Sequence, residues 1–152
     1  MTTPQRIMAL DHGSARIGVA LSDPLHIIAS PHTVIRCRSQ AEDFEQLAAI
    51  IREKDVGKVV VGLPTDSEGG VGEQARAVIR WARQLASVVD VPVVLWDESY
   101  STKDAQAVQR ELRRSSHALD AIAAAIILRN YLEAERESAH EPGTPTTIQA
   151  ED

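Results

Sequence analysis

The chain has very little cysteine: Cys37 is the one thiol in 152 residues, so no disulfide can form within it, and such usage fits a reducing compartment. Long apolar runs are missing too. None approaches the roughly 20 residues that a membrane-spanning helix needs, so no membrane association is expected. The first residues, Met1 to Arg6, pass straight into an apolar segment without the pattern of a secretory leader, and a cytoplasmic protein is expected. No internal repeat is visible. His12 and His26 have no partners at ligand spacing, so no metal role is assigned to either. The body of the chain also lacks charge of one dominant sign. Residues 133–152 carry six acidic side chains against one arginine, so most of the net charge of −6 sits there and the remainder is close to neutral. A near-neutral body is compatible with a local basic patch, and the overall acidity does not exclude a nucleic-acid partner.

What is present is an ordinary globular composition, 43% apolar, in a length that suits one domain with a real core. Arg6 to Leu10 and Arg16 to Leu21 read as strands around the small turn residues Gly13 and Ser14, a hairpin. Leu25 to Ser30 and Thr33 to Cys37 read as extended, broken by Pro31, which suits a third, edge strand with a bend. Phe44, Leu47, Ala48 and Ile51 follow helical spacing. Lys58 to Leu63 and Val91 to Trp96 are β-branched and apolar without alternation, the mark of strands covered on both faces. Between them Ala75, Val78, Ile79, Ala82, Leu85 and Ala86 form a second helical stripe. Ser101 to Asp104 resembles a helix start, with the helix continuing to Arg114, and a last, very apolar helix follows from a cap at Ser115 or Ser116 to about Glu137. The order predicts an α/β fold: a mixed five-stranded sheet with helices on both faces, in one domain over 1–137, followed by a disordered acidic tail over 138–152.

Three carboxylates stand out. Asp11 ends the first strand, and acids at strand ends either open turns or do chemistry. Glu98 follows the last strand; its neighbour Asp97 would face the opposite side of the sheet. Asp120 sits on the inward stripe of the last helix with Ala123, Ala124 and Ile127, a full turn past the expected cap, where a carboxylate is costly without a partner. Parallel crossovers would gather the ends of the first, fourth and fifth strands on one edge and make Asp11 and Glu98 neighbours. Carboxylates without His or Cys suit Mg²⁺ or Mn²⁺, and two such ions about 4 Å apart can drive phosphodiester hydrolysis.

Asp11 to Asp23, Val61 to Pro64, Asp97 to Thr102 and Leu119 to Leu128 together resemble the YqgF/RuvX family over about residues 5–132. Four motifs in order at compatible spacing make the resemblance specific. It implies a RuvC-like, RNase H-type fold and a divalent-metal nuclease with Asp11, Glu98 and Asp120 as its catalytic and metal-binding acids. It further implies a structured nucleic acid as substrate: a ribosomal RNA precursor trimmed at its 5′ end or, alternatively, a Holliday junction. RNA trimming needs only a monomer, whereas a resolvase needs a homodimer. The chain departs from the family in reading Asp97-Glu98-Ser99 where Asp-Glu-Arg is usual, and in a shorter basic stretch before Asp120. Arg16 and Lys103 are candidates to replace the missing cation, and Arg110, Arg113 and Arg114 are the remaining candidates for phosphate contact. A non-catalytic nucleic-acid-binding module is the further alternative. A sugar- or acetate-kinase fragment, suggested by Asp11 to Ser14, is set aside because one domain of this length cannot close around ATP.

Overall fold

Valine, isoleucine and alanine dominate the segments that become strands, and their alternation decides which face each residue takes. The structure, a computed structural model, describes residues 5–64, 72–97, 118–138 and 146–148. The elements are β1 (Arg6–His12), β2 (Arg16–Ser22), β3 (Ala29–Arg36), α1 (Gln40–Glu53), β4 (Val56–Leu63), α2 (Glu73–Val88), β5 (Val93–Asp97), α3 (Ala118–Ser138) and β6 (Thr146–Ile148). They build one sheet in the order β3-β2-β1-β4-β5-β6. The first three strands are antiparallel neighbours, while β4 lies parallel to β1 and β5 parallel to β4. The C-terminal ends of β1, β4 and β5 therefore share one edge, as the sequence predicts.

The five expected strands are all present, with two corrections. Thr146–Ile148, inside the stretch expected to be a patternless tail, pairs antiparallel with β5 as a sixth strand. Residues 25–28 are not strand: the Asp23 carboxylate accepts from the backbone N–H groups of Ile27 and Ile28 at 2.7 and 2.8 Å, which folds the segment into a turn. Residues of β3 begin pairing only at Ala29, with a register shift opposite Val19 and Ala20 that supplies the bend near Pro31. β4 lies between β1 and β5, so the ends of those two strands stand roughly 10 Å apart, two strand spacings. The helix expected between Ser101 and Arg114 lies outside the described residues.

Two cores sit on the two faces. Met8, Leu10, Ile17, Val19, Val59, Val61 and Val93 pack against Phe44, Leu47 and Ile51 of α1 and Val78, Trp81 and Leu85 of α2. Ile7, Ala9, Ala20, Val60, Val94 and Trp96 pack against Ala124, Ile127, Leu128, Tyr131 and Leu132 of α3. Each fully buried Leu or Ile contributes on the order of 1.5–3 kcal/mol by leaving water. α1 starts from Ser39, whose hydroxyl accepts from the Glu42 N–H at 3.2 Å. Trp81 and Trp96 are both core residues, 7% and 6% exposed. Trp96 meets Tyr131 edge-on, ring centroids 5.7 Å apart.

Candidate functional site

The hairpin sets the first half of the site. Gly13 N–H donates to the Arg16 carbonyl at 2.9 Å, closing the turn, and a Cβ on Gly13 would stand 2.9 Å from that same oxygen. Across the hairpin Asp11 is the register partner of Gly18, and His12 of Ile17. Alternation then fixes the faces. Ile7 and Ala9 lie in the α3-side core, so Asp11 takes the α3 face; Ile17 and Val19 lie in the opposite core, so Arg16 and Gly18 take the α3 face as well.

The second half comes from α3, which packs across β1, β2 and β3. Its approach is unusually close at one point. A Cβ built on Gly18 would lie 1.9 Å from the Asp120 carbonyl oxygen and 3.1 Å from the Ala121 nitrogen. Only glycine at that position allows the helix backbone to rest on the strand. Asp120 is thereby lowered onto the residue that pairs with Asp11, and its carboxylate Oδ2 accepts from Arg16 Nε at 2.6 Å. Neither partner is deeply buried, with side chains 38% exposed for Arg16 and 27% for Asp120. Asp120 falls in the first turn of the described helix, where the helix dipole favours a carboxylate; Ser115 and Ser116, the expected caps, lie outside the described residues.

The structure thus brings Asp11, Arg16 and Asp120 to one face at the strand ends. Glu98, Lys103, Arg110, Arg113 and Arg114, with Ser99, lie outside the described residues. Asp97 is described. The alternation that puts Trp96 in the α3-side core puts Asp97 on the other face, away from Asp11 and Asp120.

The opposite face near the same edge holds a second polar group that the sequence reading passed over. The His12 ring lies against Trp81, centroids 4.3 Å apart and tilted by 33°. Burial there pushes the imidazole below its ordinary pKa, and the nearby Asp43 carboxylate opposes that shift. Asp43 itself is 5% exposed and accepts from the Arg38 N–H at 3.1 Å. Burial, then Asp43, pushes the Cys37 thiol up. Gly18 was the other omission; a lone glycine inside an otherwise apolar strand was its one signal.

Comparison with known proteins bears on the family and the fold. Residues 5–134 match the family model RuvX, described as a Holliday junction resolvase. The chain is 40% identical over 136 residues to a Thermoanaerobacter pseudethanolicus protein named "Putative pre-16S rRNA nuclease", spanning 86% of this chain and 98% of that one. A protein of the same name from Moorella thermoacetica is 43% identical over 132 residues, 84% of this chain and 94% of the relative. Among solved structures, T. thermophilus RuvC in complex with Holliday junction substrate aligns with a TM-score of 0.59 at 16% identity, covering 95% of this chain and 100% of RuvC. That likeness is one of fold, and it is the RuvC-like fold the motifs imply. With a family match across nearly all of the described strands and helices, the chain belongs to the RuvX family.

Proposed function

We propose that this protein is a divalent-metal-dependent nuclease that hydrolyses phosphodiester bonds in structured RNA, acting in the cytoplasm in 5′-end maturation of pre-16S rRNA. One observation carries the reading: Asp120 is lowered onto Gly18, the register partner of Asp11, so two carboxylates distant in sequence share one face where strands end. The donor set fits a hard cation. Among the described residues that face offers carboxylate oxygens, while the His12 ring is turned to Trp81 on the other side. Asp11, Glu98 and Asp120 would hold Mg²⁺ or Mn²⁺. Glu98 is favoured over Asp97 because Asp97 falls on the wrong face. When bound, the cation supplies Lewis-acid activation of water and charge stabilisation at the phosphate.

The chain's own groups supply the rest. Asp11 and Asp120 fix the position at which the cation and phosphate meet, each held by a rigid element rather than a loop. Arg16, at the lip of that face, and Lys103, Arg110, Arg113 and Arg114 would meet backbone phosphates. The names of the relatives at about 40% identity favour ribosomal RNA precursor over branched DNA.

Cleavage of two labelled substrates with Mg²⁺ or Mn²⁺ tests this: a small-subunit rRNA precursor carrying its 5′ extension and a four-way DNA junction. Trimming of the RNA that is abolished by Asp11→Asn is expected. Symmetric nicking of the junction alone would replace the reading by a dimeric resolvase. Binding of either substrate without cleavage would replace it by a non-catalytic module.

A further inference from the structure

We propose that Arg16 is a resident counter-ion of the site: it neutralises Asp120 while no divalent cation is bound and releases that carboxylate when one binds. The inference rests on reading the face as a metal site, and deepens it by giving the site a built-in competitor.

The geometry supplies the reason. Arg16 Nε stands 2.6 Å from Asp120 Oδ2, and the two residues tie the start of β2 to the first turn of α3. Arg16 precedes Gly18 by two positions on the same face, so the ion pair lies beside the point where helix and strand touch. Asp11 is across from that same glycine. Two carboxylates gathered on one ledge repel one another unless a positive charge is shared between them. Arg16 provides that charge to the folded chain before any metal arrives.

A guanidinium and a divalent cation on one carboxylate repel each other, so each weakens the other's hold, and by linkage the effect is reciprocal. Exposure decides whether the exchange is feasible. A fully buried Arg–Asp pair would not open, because the freed guanidinium would be stranded out of water. Here the Arg16 side chain is 38% exposed, and so has solvent to move into. Once released it remains at the lip of the site, where its paired N–H groups suit the oxygens of a backbone phosphate. The substrate then takes the place of Asp120 as its anion.

The test measures metal binding and stability rather than cleavage. Mn²⁺ is titrated into wild type, Arg16→Gln and Arg16→Lys, with free Mn²⁺ read by electron paramagnetic resonance, and thermal unfolding is followed with and without saturating Mn²⁺. Arg16→Gln is expected to bind Mn²⁺ about tenfold more tightly than wild type, with Arg16→Lys between the two. Without metal, Arg16→Gln should unfold at lower temperature than wild type, and saturating Mn²⁺ should close that gap, since the cation then serves Asp120 in both proteins. Equal affinity in all three proteins would overturn the counter-ion while leaving the metal site standing. Weaker binding by Arg16→Gln would also overturn it, since Arg16 would then support the cation. Absence of Mn²⁺ binding by wild type would remove the metal reading itself, and the counter-ion with it. If Arg16→Gln fails to fold, Arg16→Lys, which keeps the charge but not the planar fork, carries the same comparison.

Discussion

The two faces of the sheet differ most beside the strand ends that carry Asp11. On the α1/α2 face large side chains interlock: Leu10, Leu47, Leu85, Trp81 and Phe44 fill the space between sheet and helices. On the α3 face the sheet presents Ala9, Ala20 and Gly18, and the helix answers with Ala121, Ala124 and Ala125. Size holds the first face together throughout; on the second, Ile7, Trp96, Leu128, Tyr131 and Leu132 do the same away from the carboxylates, and lack of size sets the helix's approach beside them. Small residues let a helix backbone reach a strand, and it is that reach which sets Asp120 beside the partner of Asp11. Both faces bury apolar side chains, and on the α3 face the small residues also set where Asp120 stands relative to Asp11.

Substitutions should separate these roles. The largest loss of stability is expected from Leu47→Ala, which empties a site with 0% exposure and should cost about 2–5 kcal/mol in denaturant unfolding. Cleavage per folded molecule should stay unchanged, because no carboxylate of the site moves. A loss of turnover in the folded fraction would show that the two faces are coupled. Gly18→Ala is the converse. Its Cβ would fall 1.9 Å from the Asp120 carbonyl, so α3 must lift. Overpacking of this kind should cost about 1–3 kcal/mol. Displacing Asp120 should lower cleavage by a further factor on the order of 100. Near-normal activity in Gly18→Ala would show that the close approach is not what positions the acid.

The contrast also explains what could be read in advance. Helical spacing of bulky residues announced α1 and α2, and short apolar, β-branched runs bounded by turn residues announced β1, β2, β4 and β5, because burying large side chains leaves a mark in the chain. Asp120 stood out for the same reason, as a charge on an apolar stripe. Its contact with Arg16 did not, since the two meet only through the fold, and Arg16 read as a replacement for the missing cation and a nucleic-acid contact. Gly18 gave only the weak signal of a lone glycine in an apolar strand, because absence of a side chain has no period. Leu25, Ile27 and Ile28 imitate a strand by composition, yet they are 70%, 59% and 60% exposed, and Asp23 captures the two isoleucine amides in a turn. A local side-chain hydrogen bond outcompeted the ladder there. β6 is three residues long, too short for any alternation, and its pairing is decided by the open edge of β5.

The smallest expected effect is a change of slope rather than of level, and it concerns the end of β1, where polar residues of the two faces are neighbours in the chain. Asp11 looks to α3, and His12, next in the chain, looks to Trp81. Burial lowers the His12 pKa from 6.5, with Asp43 opposing. In the unfolded chain the imidazole takes up its proton as pH falls through about 6.5, whereas in the fold it stays neutral to lower pH. The unfolded state then binds more protons, so stability should fall as pH drops below 6.5, until the folded ring is protonated as well. His12→Phe keeps a ring against Trp81 and removes the titration. Its unfolding free energy, measured at several pH values between about 7 and 5, should decline less steeply than wild type, the carboxylates titrating alike in both. Parallel profiles would mean that the ring is charged in the fold at no cost, with Asp43 rather than burial in control. A flatter profile with cleavage retained would show that the α1/α2 face holds the end of β1 by packing alone, leaving the chemistry to the face across the sheet.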